Sequence, residues 1–267
     1  MKLCCSSCQA GRCRKMPEIS PSKYLVMAGW QHAPHLSDKA KSELLAATPA
    51  HLRDARSKGI PALGSGAIFP VEESMITVAP MPIPTHWPQI NGIDFGYDHP
   101  TAAVNAAWDR DSDCFYITKA YRRREAPPVI HAAAVKAWGD WIPTSWPHDG
   151  NNDTAAGEAL AKQYKAHGLK VLPEHATHES GGNSVEAGLM EMLDRMETGR
   201  WKVFATCDVW FEEFRLYHRK DGRVVKLMDD VISASRYAYM MRRKAIVRPV
   251  KRTTEAEFEP QSSTFAY

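Results

Sequence analysis

The spacing of apolar positions predicts an α/β chain. Apolar runs predict strands at residues 90–97, 101–108, 114–121, 144–148, 169–172 and 201–205. Helical spacing of apolar residues predicts helices at 127–141, 154–167, 184–198, 208–217 and 229–244. The Asp221-Gly222 turn predicts a β-hairpin between residues 217–220 and 223–227, ahead of the last helix. Three consecutive strands, followed by strands that alternate with helices, indicate a mixed β-sheet covered by helices on both faces.

The first third of the chain follows a different pattern. An apolar run at residues 24–30 predicts a strand, and Ser37 is placed to cap a helix. A second short helix is expected from Pro49 to Gly59. Repeated prolines in residues 60–88 break any long helix, so we expect an extended connector with a domain boundary near Pro84. The expected segments are 1–22, 23–87, 88–247 and 248–267, of which the first and last are flexible tails.

Composition narrows the class of protein. With 267 residues, 44% hydrophobic and 24% charged, the chain is neither collagen-like, coiled-coil nor wholly disordered. It has no apolar run near the roughly 18–20 residues of a membrane span, and no apolar stretch of a secretory signal at its start. We therefore expect a cytoplasmic protein without a membrane partner. The net charge of +3 identifies no partner, and no G-x-x-x-x-G-K-[ST] motif is available for nucleotide hydrolysis.

Four of the six cysteines lie near the start of the chain. Cys5 and Cys8 have the spacing of half a zinc site, and Cys13 could supply a third ligand. No clear fourth ligand follows, so we favour a Cys-rich disordered tail over a structural zinc site.

An acidic residue interrupts the strand predicted at residues 90–97. Asp94 stands among apolar neighbours, where an ionised carboxylate is costly unless a cation or hydrogen bonds offset it. Gly92 and Gly96 flank it without side chains and leave room for a ligand. Because strand interiors are depleted in Asp, this residue is a candidate for chemistry.

Three further acids could join Asp94. Asp149 follows a short predicted strand, while Asp229 and Asp230 open the last predicted helix. Several carboxylates at one edge of a sheet are suited to two Mg²⁺ or Mn²⁺ ions that clamp a phosphodiester. Each of these three acids also has a simpler explanation. Asp149 fits a turn, and Asp229 and Asp230 fit the start of a helix, where acids are favoured by the helix dipole. The acids alone leave both explanations open.

The acids stand within three longer motifs. They are Gly92-Ile93-Asp94-Phe95-Gly96-Tyr97-Asp98-His99-Pro100-Thr101-Ala102, Trp146-Pro147-His148-Asp149-Gly150 and Asp229-Asp230-Val231-Ile232-Ser233-Ala234-Ser235-Arg236-Tyr237-Ala238. Together these motifs resemble the nuclease domain of tailed-phage terminase large subunits. The resemblance covers about residues 88–245. It implies an RNase H-like fold for residues 88–247 and a metal-dependent endonuclease that cuts concatemeric double-stranded DNA during genome packaging.

Two upstream segments resemble the end of the terminase ATPase domain and its connector. They are residues 29–37 and 59–70, so 23–87 is interpreted as the remnant of that domain. Since the Walker motifs are missing, the resemblance implies a truncated or degenerate prophage gene, or one piece of a split gene. Expected partners are double-stranded DNA, a terminase small subunit, a portal protein and a separate ATPase chain. The alternatives are an idle remnant, a packaging-partner binding module, or another RNase H-like nuclease such as a junction resolvase.

The resemblance also assigns roles to the acids. It implies that Asp94 bridges two Mg²⁺ or Mn²⁺ ions and that Asp149 is the second acid. The third is Asp229 or Asp230. Adjacent helix positions point about 100° apart, so we expect one to face the metals, with Asp230 favoured. The predicted catalytic residues are thus Asp94, Asp149 and Asp230, with Asp229 as a further metal ligand, while Ser233 stands where some relatives have another acid.

Basic side chains are the candidates for phosphate contacts. Arg122 and Arg123 follow the third strand, and Arg219, Lys220 and Arg223 lie on the predicted hairpin near the third acid. Each could instead be an ordinary solvated surface residue. No base-reading motif is evident, so we expect cutting that tolerates sequence.

Overall fold

The structure is a computed structural model that describes residues 18–20, 23–24, 28–49, 52–59, 66–96, 99–151 and 159–249. The chain divides into two compact units, Met1–Gly64 and Ser65–Tyr267. Several expectations lie outside the described residues. They are the cysteine tail, residues 25–27 of the strand expected at 24–30, the helix start near residue 154 and the tail beyond residue 249. The end of that expected strand is wrong, because Trp30 begins a 3₁₀ turn.

The first unit contains short elements. Strands β1 (Glu18–Ser20) and β2 (Lys23–Tyr24) pair antiparallel, and a single 3₁₀ turn covers Trp30–His32. Helix α1 (Asp38–Ala46) begins as predicted, because the Ser37 hydroxyl accepts a hydrogen bond from the Ala40 backbone N–H at 3.2 Å. Helix α2 (Arg53–Lys58) ends at Gly59, which adopts the left-handed conformation that terminates helices, also as predicted.

A six-stranded mixed sheet forms the centre of the second unit. Its strands are β3 (Thr77–Val78), β4 (Gln89–Asp94), β5 (Thr101–Asp109), β6 (Cys114–Arg123), β7 (Thr144–Ser145) and β8 (Trp201–Phe204). Their order in the sheet is β3-β8-β6-β5-β4-β7. Strands β4, β5 and β6 are consecutive antiparallel neighbours, whereas β3, β8 and β7 pair parallel with their neighbours. The mixed sheet expected from the apolar pattern is confirmed.

Helices cover both faces of this sheet. The elements are α3 (Glu73–Ile76), α4 (Pro128–Lys136), α5 (Leu160–Ala166), α6 (Val185–Glu197), α7 (Asp208–Leu216), the hairpin strands β9 (Arg219–Lys220) and β10 (Arg223–Val224), and α8 (Asp230–Met240). The larger core contains buried residues of α6, α7 and α8, and the smaller core contains those of α4 and α5. None of the helices in the described part of the chain is long and apolar enough to cross a bilayer.

The structure differs from the apolar pattern in two places. The second unit begins at Ser65, ahead of the boundary expected near Pro84, because Ile68, Phe69 and Ile76 are buried in the larger core. The strand expected at 169–172 is reduced to a single parallel bridge between Thr144 and Val171, since β7 is too short to pair with more of it.

Candidate metal and nucleic-acid site

The topology of the sheet brings Asp94 and Asp149 to the same edge. Asp94 is the last residue of β4, and β7 runs parallel beside that strand, with Gly92 opposite Ser145. Asp149 follows β7 in a 3₁₀ turn spanning His148–Asn151. Parallel neighbours end at the same edge of a sheet, so the two carboxylates face a common space.

Helix α8 contributes the other two acids because it packs very closely on β4. A side chain at Gly92 would overlap the backbone carbonyl oxygen of Ala234, so only glycine permits this approach. The Ser145 hydroxyl also donates a hydrogen bond to the Tyr237 carbonyl at 2.9 Å, which ties the helix to β7. The N-terminus of the helix, and with it Asp229 and Asp230, is thereby held beside the end of β4.

All four acids line one cavity of about 370 Å³. Asp94 is half-buried and Asp149 is exposed. Both Asp229 and Asp230 line the cavity, whereas only one of them was expected to face it. Asp229 occupies the N-cap position of α8 without making a side-chain capping bond, so capping does not hold its carboxylate away from the cavity.

The charges in this cavity are strongly unbalanced. Burial raises the pKa of Asp94 well above its usual range, and the neighbouring charges of Asp149, Asp230 and Asp229 raise it further. Burial likewise raises the pKa values of Asp229 and Asp230. Arg236 acts in the opposite direction on Asp94, and Lys226 does so on Asp229, but these two cationic side chains face four carboxylates. The cavity therefore favours an additional cation.

The donor set fits hard divalent cations. The four acids offer only carboxylate oxygens, which suit Mg²⁺ and Mn²⁺ better than softer metals. Among the described residues, no three Asp, Glu, His or Cys side chains lie close enough together to form a ready-made metal site. Ionised carboxylates around one cavity repel one another, and a bound cation would offset that repulsion.

A second cavity, rich in arginine, adjoins the acidic one. It has a volume of about 300 Å³ and is lined by Arg122, Arg123 and Arg124, and it shares Asp230 with the acidic cavity. Positive charge thus lies directly beside the four acids. An extended polyanion could contact the arginines while one of its phosphates reaches the acids.

The five predicted DNA-binding residues differ in their surroundings. Arg122 donates to Glu213 at 2.9 Å and to Glu212 at 2.8 Å, and Arg219 makes two bonds of 2.6 Å to Glu186. Because these guanidiniums are already paired with carboxylates, they have less capacity for phosphate. Arg123 lies beside Tyr121.

Lys220 and Arg223 are exposed on the β9–β10 hairpin. Val224, the last residue of β10, and Lys226, which follows shortly after it, line the acidic cavity. The hairpin therefore lies at the rim of the site, where its exposed side chains can meet a ligand of the cavity.

The sequence alone did not predict a role at this site for two of its residues, Arg236 and Glu213. Arg236 appears in the sequence analysis only within the third motif, yet it is almost fully buried at the wall of the acidic cavity. Glu213 is completely buried and accepts hydrogen bonds from the first turn of α8. Glu213 stands on the apolar stripe of its helix, three residues after Trp210 and four before Tyr217. An acid on the apolar face of a helix is the sequence feature that could have identified Glu213 as a functional candidate.

Comparison with known proteins relates the chain to a family. Residues 91–242 match the family described as Terminase RNaseH-like domain. The chain is 44% identical over 239 residues to the terminase large subunit of Salmonella phage P22, covering 88% of this chain and 48% of that protein. It is 45% identical over 225 residues to the terminase large subunit of Enterobacteria phage LP7, covering 84% and 47%.

A solved structure is similar in the same region. The P22 large terminase nuclease domain superposes with a TM-score of 0.65 at 47% identity, covering 68% of this chain and 95% of that one. The chain spans about half the length of the two phage relatives.

Proposed function

The chain belongs to the terminase large-subunit family through its RNase H-like domain, and from this premise we propose that it is a metal-dependent endonuclease. Its substrate would be double-stranded phage DNA, cut during genome packaging. The six-stranded mixed sheet with flanking helices is the RNase H-like fold expected from the sequence motifs.

One observation carries the proposal. Four carboxylates from three separate segments line a single cavity that adjoins a row of arginines. A turn explains Asp149 and a helix start explains Asp229 and Asp230, but neither explains Asp94 in its strand or why all four acids meet. Burial and the neighbouring acids raise the pKa of Asp94, so a cation bound beside it would be favourable.

Asp94, Asp149, Asp229 and Asp230 would hold two Mg²⁺ or Mn²⁺ ions. When bound, such ions lower the pKa of an attacking water and neutralise the charge that develops on phosphodiester oxygens. The catalytic acids would be Asp94, Asp149 and Asp230. The carboxylate oxygens of Asp94 are held by a rigid strand, whereas the side chain of Asp149 is exposed and can change its rotamer.

The basic residues would position the DNA. Arg123 and Arg124 line the adjoining cavity, and Lys220 and Arg223 extend from the hairpin at the rim. We assign the backbone contacts chiefly to these four. Arg122 and Arg219 are expected to contribute less, because each is paired with a carboxylate. Contacts to phosphates alone would give cutting with little sequence preference.

In packaging, the nuclease would act with other components. We propose a terminase small subunit, a portal protein and a packaging ATPase as partners. The competing hypothesis is a packaging module that folds and binds partners but no longer cuts DNA.

A nicking assay separates these hypotheses. Purified protein is incubated with supercoiled plasmid and Mn²⁺ or Mg²⁺, beside Asp94→Ala and a control, Asp111→Ala, which alters an exposed acid on the β5–β6 turn. We expect the parent and the control to convert plasmid to nicked and linear forms, and Asp94→Ala to lose at least 100-fold in rate. Absence of nicking with every metal would refute the enzyme, and equal nicking by Asp94→Ala would refute the site.

A further inference from the structure

Glu213 is an acid in an apolar environment, outside the cavity of the four acids. Glu213 lies in α7 and is completely buried. Its neighbours in this helix, Trp210 and Phe214, belong to the larger core. A buried carboxylate is costly unless hydrogen bonds and an opposite charge compensate it. What compensates Glu213 therefore indicates what it does.

Its carboxylate is fully engaged at both oxygens. Oε2 accepts hydrogen bonds from the backbone N–H groups of Val231 at 2.7 Å and Ile232 at 3.1 Å. Oε1 accepts from Arg122 Nη1 at 2.9 Å. Glu213 thus caps the N-terminus of α8 from a neighbouring helix, and Arg122 fixes the capping carboxylate in place.

This arrangement replaces the cap that α8 would otherwise take from its own sequence. Asp229 stands at the N-cap position, where Asp is a preferred capping residue, but makes no side-chain capping bond. Since Glu213 satisfies the first free N–H groups, Asp229 and Asp230 can both direct their carboxylates into the acidic cavity.

We propose that Glu213 is a positioning residue of the nuclease site: it anchors the first turn of α8 so that Asp229 and Asp230 are held beside Asp94. This rests on the proposed function, since positioning matters only if the acids bind metal. Arg122 acts through Glu213, so its main role is to orient that carboxylate rather than to bind phosphate. Residues that support metal ligands in this way typically contribute 10–100-fold to metal affinity.

The test compares two similar substitutions, one in α7 and one at an acid of α3 that is paired with α7. Glu213→Gln retains the shape but removes the charge and one acceptor oxygen. Glu73→Gln is the matched control, because Glu73 is joined to Arg215 of the same helix by bonds of 2.6 and 2.8 Å but does not contact α8 through this pair. Each variant removes one ion pair that involves α7, and only Glu213→Gln also weakens the cap of α8, because it loses the negative charge and one of the two acceptor oxygens.

Three measurements are made at a temperature where each variant remains folded. They are Mn²⁺ binding by calorimetry, the Mn²⁺ concentration for half-maximal nicking, and amide hydrogen exchange at Val231 and Ile232. For Glu213→Gln we expect at least a ten-fold weaker Mn²⁺ affinity, an equal rise in the half-maximal concentration, and faster exchange at both amides. For Glu73→Gln all three should match the parent.

The outcomes separate failure of the inference from failure of the proposed function. If the parent binds Mn²⁺ and nicks DNA, but Glu213→Gln has the parent's metal affinity, the positioning role is wrong and the nuclease stands. A parent that neither binds Mn²⁺ nor nicks DNA refutes the nuclease, and the positioning role with it. Equal losses in both glutamine variants would mean that Glu213 only stabilises α7, which also overturns the inference.

Discussion

At the scale of single residues, the site brings together buried charged groups, each of which lowers the stability of the fold. Asp94 is a half-buried acid beside three other acids, and Arg236 is a buried cation that offsets only part of their charge. Such a cluster costs stability in the absence of a ligand. Proteins retain a costly group of this kind where it serves binding or catalysis.

The pH dependence of stability tests this cost directly. The pKa of Asp94 is raised in the folded protein, so the folded state holds this proton more tightly than the unfolded state. The contribution of Asp94 to stability is therefore present at low pH and is lost as pH rises through its folded pKa. Asp94→Asn, which resembles the protonated acid, should be more stable than the parent at pH 8 without metal.

We expect a gain of on the order of 1 kcal/mol, or about 3 °C in Tm. Thermal unfolding with EDTA between pH 4 and pH 8 measures it, and the difference between the two proteins should shrink as pH falls. Added Mn²⁺ should raise the Tm of the parent more than that of Asp94→Asn. Asp111→Asn, an exposed acid, serves as the control, and an Asp94→Asn protein less stable than the parent at pH 8 would contradict the prediction.

At the scale of elements, the sequence predicted what depends on local pattern. The apolar runs of β4, β5 and β6 and the caps at Ser37 and Gly59 are local signals, and each element formed near its predicted position. Asp94 also stood out locally, because it interrupts an apolar strand.

What the sequence could not supply depends on contacts between distant segments. The prolines of residues 60–88 indicate extended backbone, but they do not reveal that Ile68 and Phe69 enter the core. In the same way, the contact of Glu213 with the first turn of α8 joins two helices across a tertiary fold. Periodicity placed the acid on an apolar face, and only the structure identifies its partner.

The contact between β4 and α8 gives a prediction at this scale. A Cβ at Gly92 would overlap the Ala234 carbonyl oxygen, so Gly92→Ala must push α8 away from the sheet. We expect a loss of about 3 kcal/mol of stability, together with weaker Mn²⁺ binding because Asp229 and Asp230 move with the helix.

Gly199→Ala is the comparison for this variant. Gly199 has a φ of +74°, but a Cβ there would meet no atom within 4 Å, so its cost should be only about 1 kcal/mol and leave Mn²⁺ binding unchanged. Urea unfolding and calorimetry measure the two effects. Equal stability losses in the two variants would show that the close approach of α8 to β4 is unimportant.

At the scale of the whole molecule, the proposed site belongs entirely to the second compact unit. The acids, the arginines and both cores lie within Ser65–Tyr267. This unit includes residues 66–87, which supply β3 to the edge of the sheet and four buried side chains, Ile68, Phe69, Val71 and Ile76, to the larger core. The boundary at residue 64 and the expected boundary at residue 87 therefore define different folding units.

Two truncated proteins distinguish these boundaries. Residues 65–267 should unfold cooperatively, bind Mn²⁺ and nick plasmid like the full chain, because they retain the whole sheet and both cores. Residues 88–267 lose the four buried side chains, each contributing about 2 kcal/mol, which together approach the total stability of about 5–15 kcal/mol typical of a domain. We expect this shorter protein to aggregate or to unfold without a cooperative transition, as followed by circular dichroism and size-exclusion chromatography. If residues 88–267 instead unfold at the same Tm as residues 65–267, the segment ahead of Pro88 is a connector that lies against the core without stabilising it.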